Sequence, residues 1–488
     1  MQGKPILSLE ALRRLEADAE AAGLGLMRRA ALATADWVCR HTPPGSRLLI
    51  CAGPGNNGGD ALYAALELQQ RDYLIDVYQP APPASAACQE AREQAELSGL
   101  PMLASLQPDY EPPALLIDGL FGVGLSRPLD EAWRQRIAML NQLGCPALAL
   151  DCPSGLDPYT GHPQGAAIRA EHTLTFLCHK PGLFCGPGAD LAGRVELADL
   201  DCPPTLYPQA EGALNEPSAA ALARPRDSHK GSYGTVSIIG GAPGMLGAIL
   251  LAGRSALLNG AGKVFLCSLD DRLPVDPVAP ELMIRPVDES ADLPGADVFA
   301  IGPGLGQQEL AEGLLRHTLT LPGPLVLDAD ALNLIAADHT LADMLAARGH
   351  PAVLTPHPAE AARLLNIDTA EIQSNRPLYA RKLAVRFNCV VVLKGAGSLI
   401  VRPDGFYLVN ASGGPALAAA GQGDVLTGLI AALLAQGMPA FESAALAVHV
   451  HSQAGDDYRR ESGGPIGLTA SETARRASQA LNRRLSGG

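Results

Sequence analysis

Short apolar runs that end in glycine turns and reopen as helices recur along this chain, and few folds accommodate that pattern. The first is Ser46–Ala52, SRLLICA, running straight into GPGNNGGDALYAALELQQ. Runs of this kind belong to strands buried on both faces, as in a parallel sheet covered by helices. Leu74–Tyr78, Ala114–Asp118, Pro146–Asp151 and His172–Cys178 follow at α/β intervals, and residues 8–40 carry helical spacing for one or two helices. A second series opens with SHKGSYGTVSIIGGAPGM, includes a helix over Gly247–Leu258, and passes through ADVFAIGPGLG, PLVLDADALNLI and PAVLTPHPAEAARLL. It reaches CVVVLKGAGSLIVRPDGFYLVN, read as a strand to Lys394, a glycine turn and a hairpin around Asp404-Gly405. The expected class is α/β.

A chain of 488 residues is long for one core. Between Asp199 and Asp227 it turns rich in Pro and Ala and loses strand periodicity, which puts a boundary near 210–222. Domains are expected over 1–215 and 222–488. A net charge of −14 without long acidic runs argues against nucleic acid and leaves small-molecule chemistry open. The ten cysteines are scattered without a C-x-x-C pair, as reduced thiols of a cytoplasmic protein would be. The first residues lack an apolar signal core and no apolar run reaches membrane-spanning length, so no membrane partner is expected.

Two stretches carry candidate chemistry. GPGNNGGD is neither a Walker A loop nor a dinucleotide G-x-G-x-x-G, and a helix is expected from about Asp60. The amides of Asn56 and Asn57 add oriented donors and acceptors suited to a phosphate or cation. In open parallel sheets ligands gather at strand C-termini, so Asp118, Asp151 and Ser154 should converge near this loop. Together they form an oxygen site fit for a cation, although strand-end Asp residues also serve simply to cap turns. The other stretch is Asn410–Gly428, NASGGPALAAAGQGDVLTG, with glycines at 413, 414, 421 and 423 before a helix expected over Val425–Gln436. Glycine amides and a helix N-terminus favour phosphate. Asp424 among them reads either as a base on a hydroxyl beside a phosphoryl group or as a helix cap. Lys394, followed by GAGS, reads as a phosphate contact, and His357 between two prolines as a ligand contact or a stiffener of its turn. His449 and His451, two residues apart, point to different helix faces and make no metal pair.

GPGNNGGD, LIDGLFGVGLSRP and LDCPSGLD, in this order, resemble the N-terminal half of bifunctional NAD(P)H-hydrate repair enzymes. SHKGSYG, GPGLG, TPHPAE, KGAGS and GQGD resemble that family's dehydratase half. The resemblance implies a Rossmann-like three-layer sandwich that epimerises R and S NAD(P)H hydrate. It also implies a ribokinase-like domain that phosphorylates the hydrate hydroxyl from ADP with Mg2+ and then eliminates phosphate. It implies that Asn56, Asn57, Gly58, Gly59, Asp60, Gly122, Val123, Gly124, Leu125, Ser126, Arg127 and Pro128 contact the hydrate beside Asp151, the candidate proton carrier. Asn57, Asp118 and Ser154 would hold potassium (K+). Gly247, Gly304 and His357 would touch the hydrate in the second half, with Asp424 as base. Lys394, Gly395, Ala396, Gly397, Ser398, Gly414, Gly421, Gln422 and Gly423 would hold ADP. The implied partners are NADHX, NADPHX and ADP, in a homo-oligomer. The chain departs from the family where Ala419 and Gln422 replace threonines, alanines replace glycines at 416 and 420, and Leu26–Ala31 replaces an acidic residue and a glycine. The rival readings are a vitamin-type kinase of ribokinase-like fold with an accessory nucleotide-binding domain, and a non-catalytic first half.

Overall fold

The computed structural model describes residues 5–107, 109–125, 127–288 and 293–486. The chain divides into two compact units, with the division between Ala213 and Leu214. In the first, seven strands pair in parallel in the order Met102–Leu103, Leu74–Tyr78, Arg47–Ala52, Leu115–Gly119, Ala147–Leu150, His172–Phe176, Arg194–Ala198. Successive side chains of a strand point to opposite faces. Leu48, Ile50 and Ala52 accordingly join a core with the helices Leu9–Ala21, Leu26–His41, Asn56–Gln69 and Ala86–Leu97. Leu49 and Cys51 join another with Ile137 and Leu140 of the helix Glu131–Asn141. That makes three layers, and it explains why the strands read as unbroken apolar runs.

In the second unit the sheet order is Tyr407–Val409, Leu399–Val401, Val390–Leu393, Ala352–Leu354, Leu325–Leu327, Val298–Ile301, Thr235–Gly240, Lys263–Ser268, Met283–Pro286. All pairs are parallel except those made by Leu399–Val401, the hairpin expected around Asp404-Gly405. The helices Leu246–Leu258 and Gln422–Ala435 lie so close that a Cβ on Gly428 would strike the Ala252 carbonyl. Ser255 Oγ donates to Val425 O at 2.6 Å across the same contact.

Both helices that follow the glycine stretches start earlier than the sequence implies. The first begins at Asn56 rather than near Asp60, so the whole NNGGD motif is helical. The second begins at Gln422 rather than Val425, which puts Asp424 inside its first turn instead of at a cap. The glycines that made these stretches look like loops are accepted in a first turn because close packing repays their lost entropy. A Cβ on Gly58 would run into the Gly53 carbonyl, and one on Gly421 would meet Leu251. Among the described residues no helix is long and apolar enough to cross a membrane.

Candidate functional site

In the first unit a cavity of about 680 Å³ opens at the C-terminal ends of the strands. Asn56, Asn57, Asp60, Gly122, Val123, Gly124, Leu125, Arg127 and Asp151 line it, so the chain's separate motifs meet there. Gly58, Gly59 and Pro128 are not part of that wall: Gly58 and Gly59 are buried, and a Cβ on Gly59 would press on Met27 Sδ at 2.7 Å. Ser126 lies outside the described residues.

Asp118 follows the apolar part of its strand, and Ser154 follows Asp151 on the next turn. Ser154 N and Oγ both donate to the Asp118 carboxylate, at 2.7 and 2.6 Å, and Leu120 N adds a contact at 3.2 Å. Burial pushes Asp118 up to about 6 against those hydrogen bonds. Asn57 Nδ2 donates to Leu150 O at 3.1 Å, while its Oδ1 is buried with no hydrogen-bond partner. A buried acceptor left unpaired is costly, and a cation bound by oxygen would satisfy it and the raised carboxyl together. The donor set therefore fits potassium. No group of three His, Cys, Asp or Glu able to hold a metal occurs among the described residues.

Asp151 has φ +65°, a conformation that Asp tolerates better than most residues and that turns its carboxylate toward the cavity. Its Oδ1 accepts from Lys180 Nζ, and from Phe176 N at 3.2 Å. Lys180 is completely buried and also donates to Thr175 Oγ1 and Phe176 O, each at 2.9 Å. Burial alone would strip its proton, yet Asp151 holds its pKa above the ordinary lysine value. Glu16 and Asp60 bring two more carboxyls to the same wall, beside Arg13. Sequence reasoning passed over Lys180 and Glu16. Neither sits in a glycine motif, and only the crossing of distant strands and helices brings them to Asp151.

In the second unit the first turn of Gln422–Ala435 meets two strand ends. Asp328 directly follows Leu325–Leu327 and Lys394 directly follows Val390–Leu393. Lys394 Nζ lies 2.8 Å from Asp328 Oδ1 and 3.9 Å from Glu360 Oε2, and Thr427 Oγ1 donates to Asp328 Oδ2 at 2.8 Å. A Cβ on Gly423 would stand 3.3 Å from Lys394 Nζ, so glycine there leaves room for the ammonium. Burial works to raise Asp328, but Lys394 and Thr427 more than offset it and its pKa is lowered. Asp424 has no hydrogen-bond partner among the described residues; burial and the charge of Asp328 push it up to about 7, with Lys394 opposing. Burial likewise pushes Glu360 up to about 7. Ala329, between Asp328 and the helix Asp330–Ala337, has φ +50° and ψ −116°, strain of the kind that gathers at functional sites.

The sequence placed Lys394 on a phosphate; the structure holds its ammonium among carboxylates. His357 caps the helix Pro358–Leu365, its Nδ1 accepting from Ala359 N at 3.1 Å and Glu360 N at 3.3 Å. Around Gly247 and Gly414 a Cβ would meet nothing within 4 Å, so a ligand has free approach to their backbone, whereas Gly304 packs on Met245. Gly395 and Gly397 have φ of +136° and +66°, a turn that glycine makes without strain, with Ala396 and Ser398 completing it. The Gln422 amide is buried, and neither of its polar atoms has a hydrogen-bond partner.

The family described as NAD(P)H-hydrate dehydratase matches residues 236–478, and the family described as YjeF-related protein N-terminus matches residues 23–182. The bifunctional NAD(P)H-hydrate repair enzyme Nnr of Coxiella burnetii is 35% identical over 94% of this chain and 95% of its own. The enzyme of the same name from Escherichia coli K12 is 38% identical over 88% of this chain and 84% of its own. The chain belongs to the bifunctional NAD(P)H-hydrate repair enzymes. Among solved structures it is similar to the ADP/ATP-dependent NAD(P)H-hydrate dehydratase of Bacillus subtilis, at 31% identity, 56% of this chain, 100% of that chain and a TM-score of 0.48. Within this repair family the first unit carries the cavity of Asp151 and Lys180, and the second carries the cluster of Asp328, Lys394 and Asp424.

Proposed function

We propose that the first unit interconverts R and S NAD(P)H hydrate and that the second dehydrates the S form to NAD(P)H at the expense of ADP, with Mg2+. Asp424 carries this reading. A carboxyl raised to about 7, without a hydrogen-bond partner of its own and next to the half-buried Lys394 ammonium, is poised to take a proton from a hydroxyl near neutral pH. The hydrate's hydroxyl is a poor leaving group until it is phosphorylated. Asp424 would remove its proton as the oxygen attacks the terminal phosphoryl group. Lys394 and the amides of Gly395–Ser398, Gly414 and the helix start at Gly421–Gly423 would offset charge on the transferred oxygens. Asp328 orients Lys394 through its 2.8 Å contact, and Thr427 holds Asp328 in turn.

In the first unit Asn57, Asp118 and Ser154 would hold potassium, which neutralises nearby negative charge when bound. Asp151 would move protons near the hydroxyl-bearing carbon, with Lys180 fixing one of its oxygens. The unpaired Asn57 Oδ1 supports the ion site. Scattered cysteines, all free among the described residues, support a cytoplasmic protein. A homo-oligomer remains part of this reading.

NAD(P)H recovery from a mixture of both epimers, with ADP, with ATP or with neither, tests it. Full recovery with a nucleotide and release of free phosphate is expected. A stable phosphorylated product would turn the second unit into a kinase, and recovery stopping at one epimer would deny the first unit its role.

A further inference from the structure

The cavity of the first unit holds three carboxyls in unequal company. Asp151 is tied to Lys180 through Oδ1, which leaves Oδ2 for a ligand. Asp60, the fifth residue of the helix Asn56–Gln69, lines the same cavity and has no hydrogen-bond or ion-pair partner among the described residues. Glu16 faces both from the helix Leu9–Ala21, with Arg13 one turn away. From that arrangement we infer that Asp60 is a catalytic acid of the epimerisation, working against Asp151 as base, and that the hydroxyl leaves as water and returns.

The assignment follows from environments that push like groups apart. Every influence on Asp60 raises it: burial first, then Asp151 and Glu16, so it keeps its proton well above the usual carboxylate range. Glu16 is also raised, mainly by burial, but Lys180 and Arg13 pull it back. Cys88, which feels the Asp60 charge, is raised to about 11, mainly by burial, and stays a neutral thiol. Asp60 is thus the group that holds a proton without a neighbouring cation to dislodge it.

The step balances without an outside reagent. The hydroxyl-bearing carbon of the hydrate adjoins the ring nitrogen. The Asp60 proton passes to the hydroxyl oxygen, the C–O bond breaks, and its electron pair departs with water. The nitrogen lone pair forms a C=N bond in its place. Water then adds to either face of that carbon, the C=N pair returns to nitrogen, and Asp151 takes the proton the water loses. Transfer from Asp151 back to Asp60 through water in the cavity resets the site. Addition to the face opposite departure gives the other epimer.

This inference rests on the epimerase reading, and one experiment separates the two. The full-length protein is incubated with purified S-NADH hydrate in 18O-water, without nucleotide, and the epimers are resolved and weighed against an enzyme-free blank. Expected is formation of the R epimer carrying 18O. Asp60→Asn should lower turnover about 10²–10⁴-fold, the usual worth of an acid–base group, with KM little changed. Dehydration by the second unit of the same variant reports that the chain is intact, and Asp60→Glu should restore part of the rate. R epimer formed with its original oxygen would overturn the inference, since ring opening and reclosure keep it. Wild-type turnover by Asp60→Asn would overturn it equally. Should Asp60→Asn not fold, the label in wild-type product decides. A wild-type protein that forms no R epimer above the blank would instead remove the epimerase reading itself.

Discussion

Each unit pairs a lysine with an aspartate beyond the ends of parallel strands, yet the two pairs are wired differently. In the first, Lys180 grips Asp151, the carboxylate that faces the cavity, so the ion pair contains the group proposed to move the proton. In the second, Lys394 grips Asp328, which Thr427 also holds, and the proposed base Asp424 stands beside the pair without a partner. The first lysine fixes the proton carrier directly. The second leaves the carrier free and, through burial first and Asp328 next, raised to about 7. A shared strand-end geometry therefore supports opposite uses of one ion pair, and only the third carboxyl tells them apart.

Replacing the unpaired base should have the largest effect. Asp424→Asn is expected to lower dehydration about 10²–10⁴-fold while epimerisation stays at the wild-type rate. NAD(P)H recovery from pure S hydrate with ADP measures it, and recovery near normal would remove Asp424 from the mechanism. Next comes Lys180→Met, which strands Asp151 in the first unit. Breaking one side of a buried pair costs about 3–5 kcal/mol, so an early unfolding step and lost epimerisation are expected, with dehydration retained below that step. An unchanged melt would mean that Lys180 is not the anchor the structure makes it.

A third test exploits the sign of the Asp424 shift. Asp328→Asn removes a negative neighbour that raises Asp424, so the acidic limb of the dehydration pH profile should move to lower pH. A limb that stays in place, measured on kcat/KM from pH 5 to 9, would show that Asp328 does not act on the base. Folding gives a fourth and smaller effect. Because Asp424 is raised from 3.8 to about 7, its contribution is fully present at acid pH and is lost as pH rises through about 7. Asp424→Asn should therefore gain thermal stability over wild type between pH 5 and pH 8; a constant difference in Tm would contradict the shift. The smallest expected change is in the cation site. Removing potassium should slow epimerisation without altering dehydration, and Asp118→Ala should abolish that dependence.

Much of the architecture could be read without coordinates, because it follows from local rules. Apolar runs of four to six residues between glycine turns dictate buried parallel strands. Leu74–Tyr78 falls where the sequence puts it, and the four other expected strands of the first unit end within two residues of their expected bounds, while the edge strands Met102–Leu103 and Arg194–Ala198 were missed. The meeting of Asn57, Asp118, Asp151 and Ser154 also follows, since parallel strands bring their C-terminal turns to one edge.

Local residue patterns were enough for the α/β class, the motifs and Asp424 as a candidate base. The tertiary structure alone decided who stands next to whom. Glycines in NNGGD and GQGD look like loop formers, but helix packing draws them into first turns. Lys394 beside GAGS reads as a phosphate contact, but its pairing with Asp328, 66 positions earlier, shows only in the fold. Lys180 and Glu16 carry no motif at all. Charge and burial act through space, so a carboxyl's partner, and with it its proton, is fixed by strands and helices far apart in the chain.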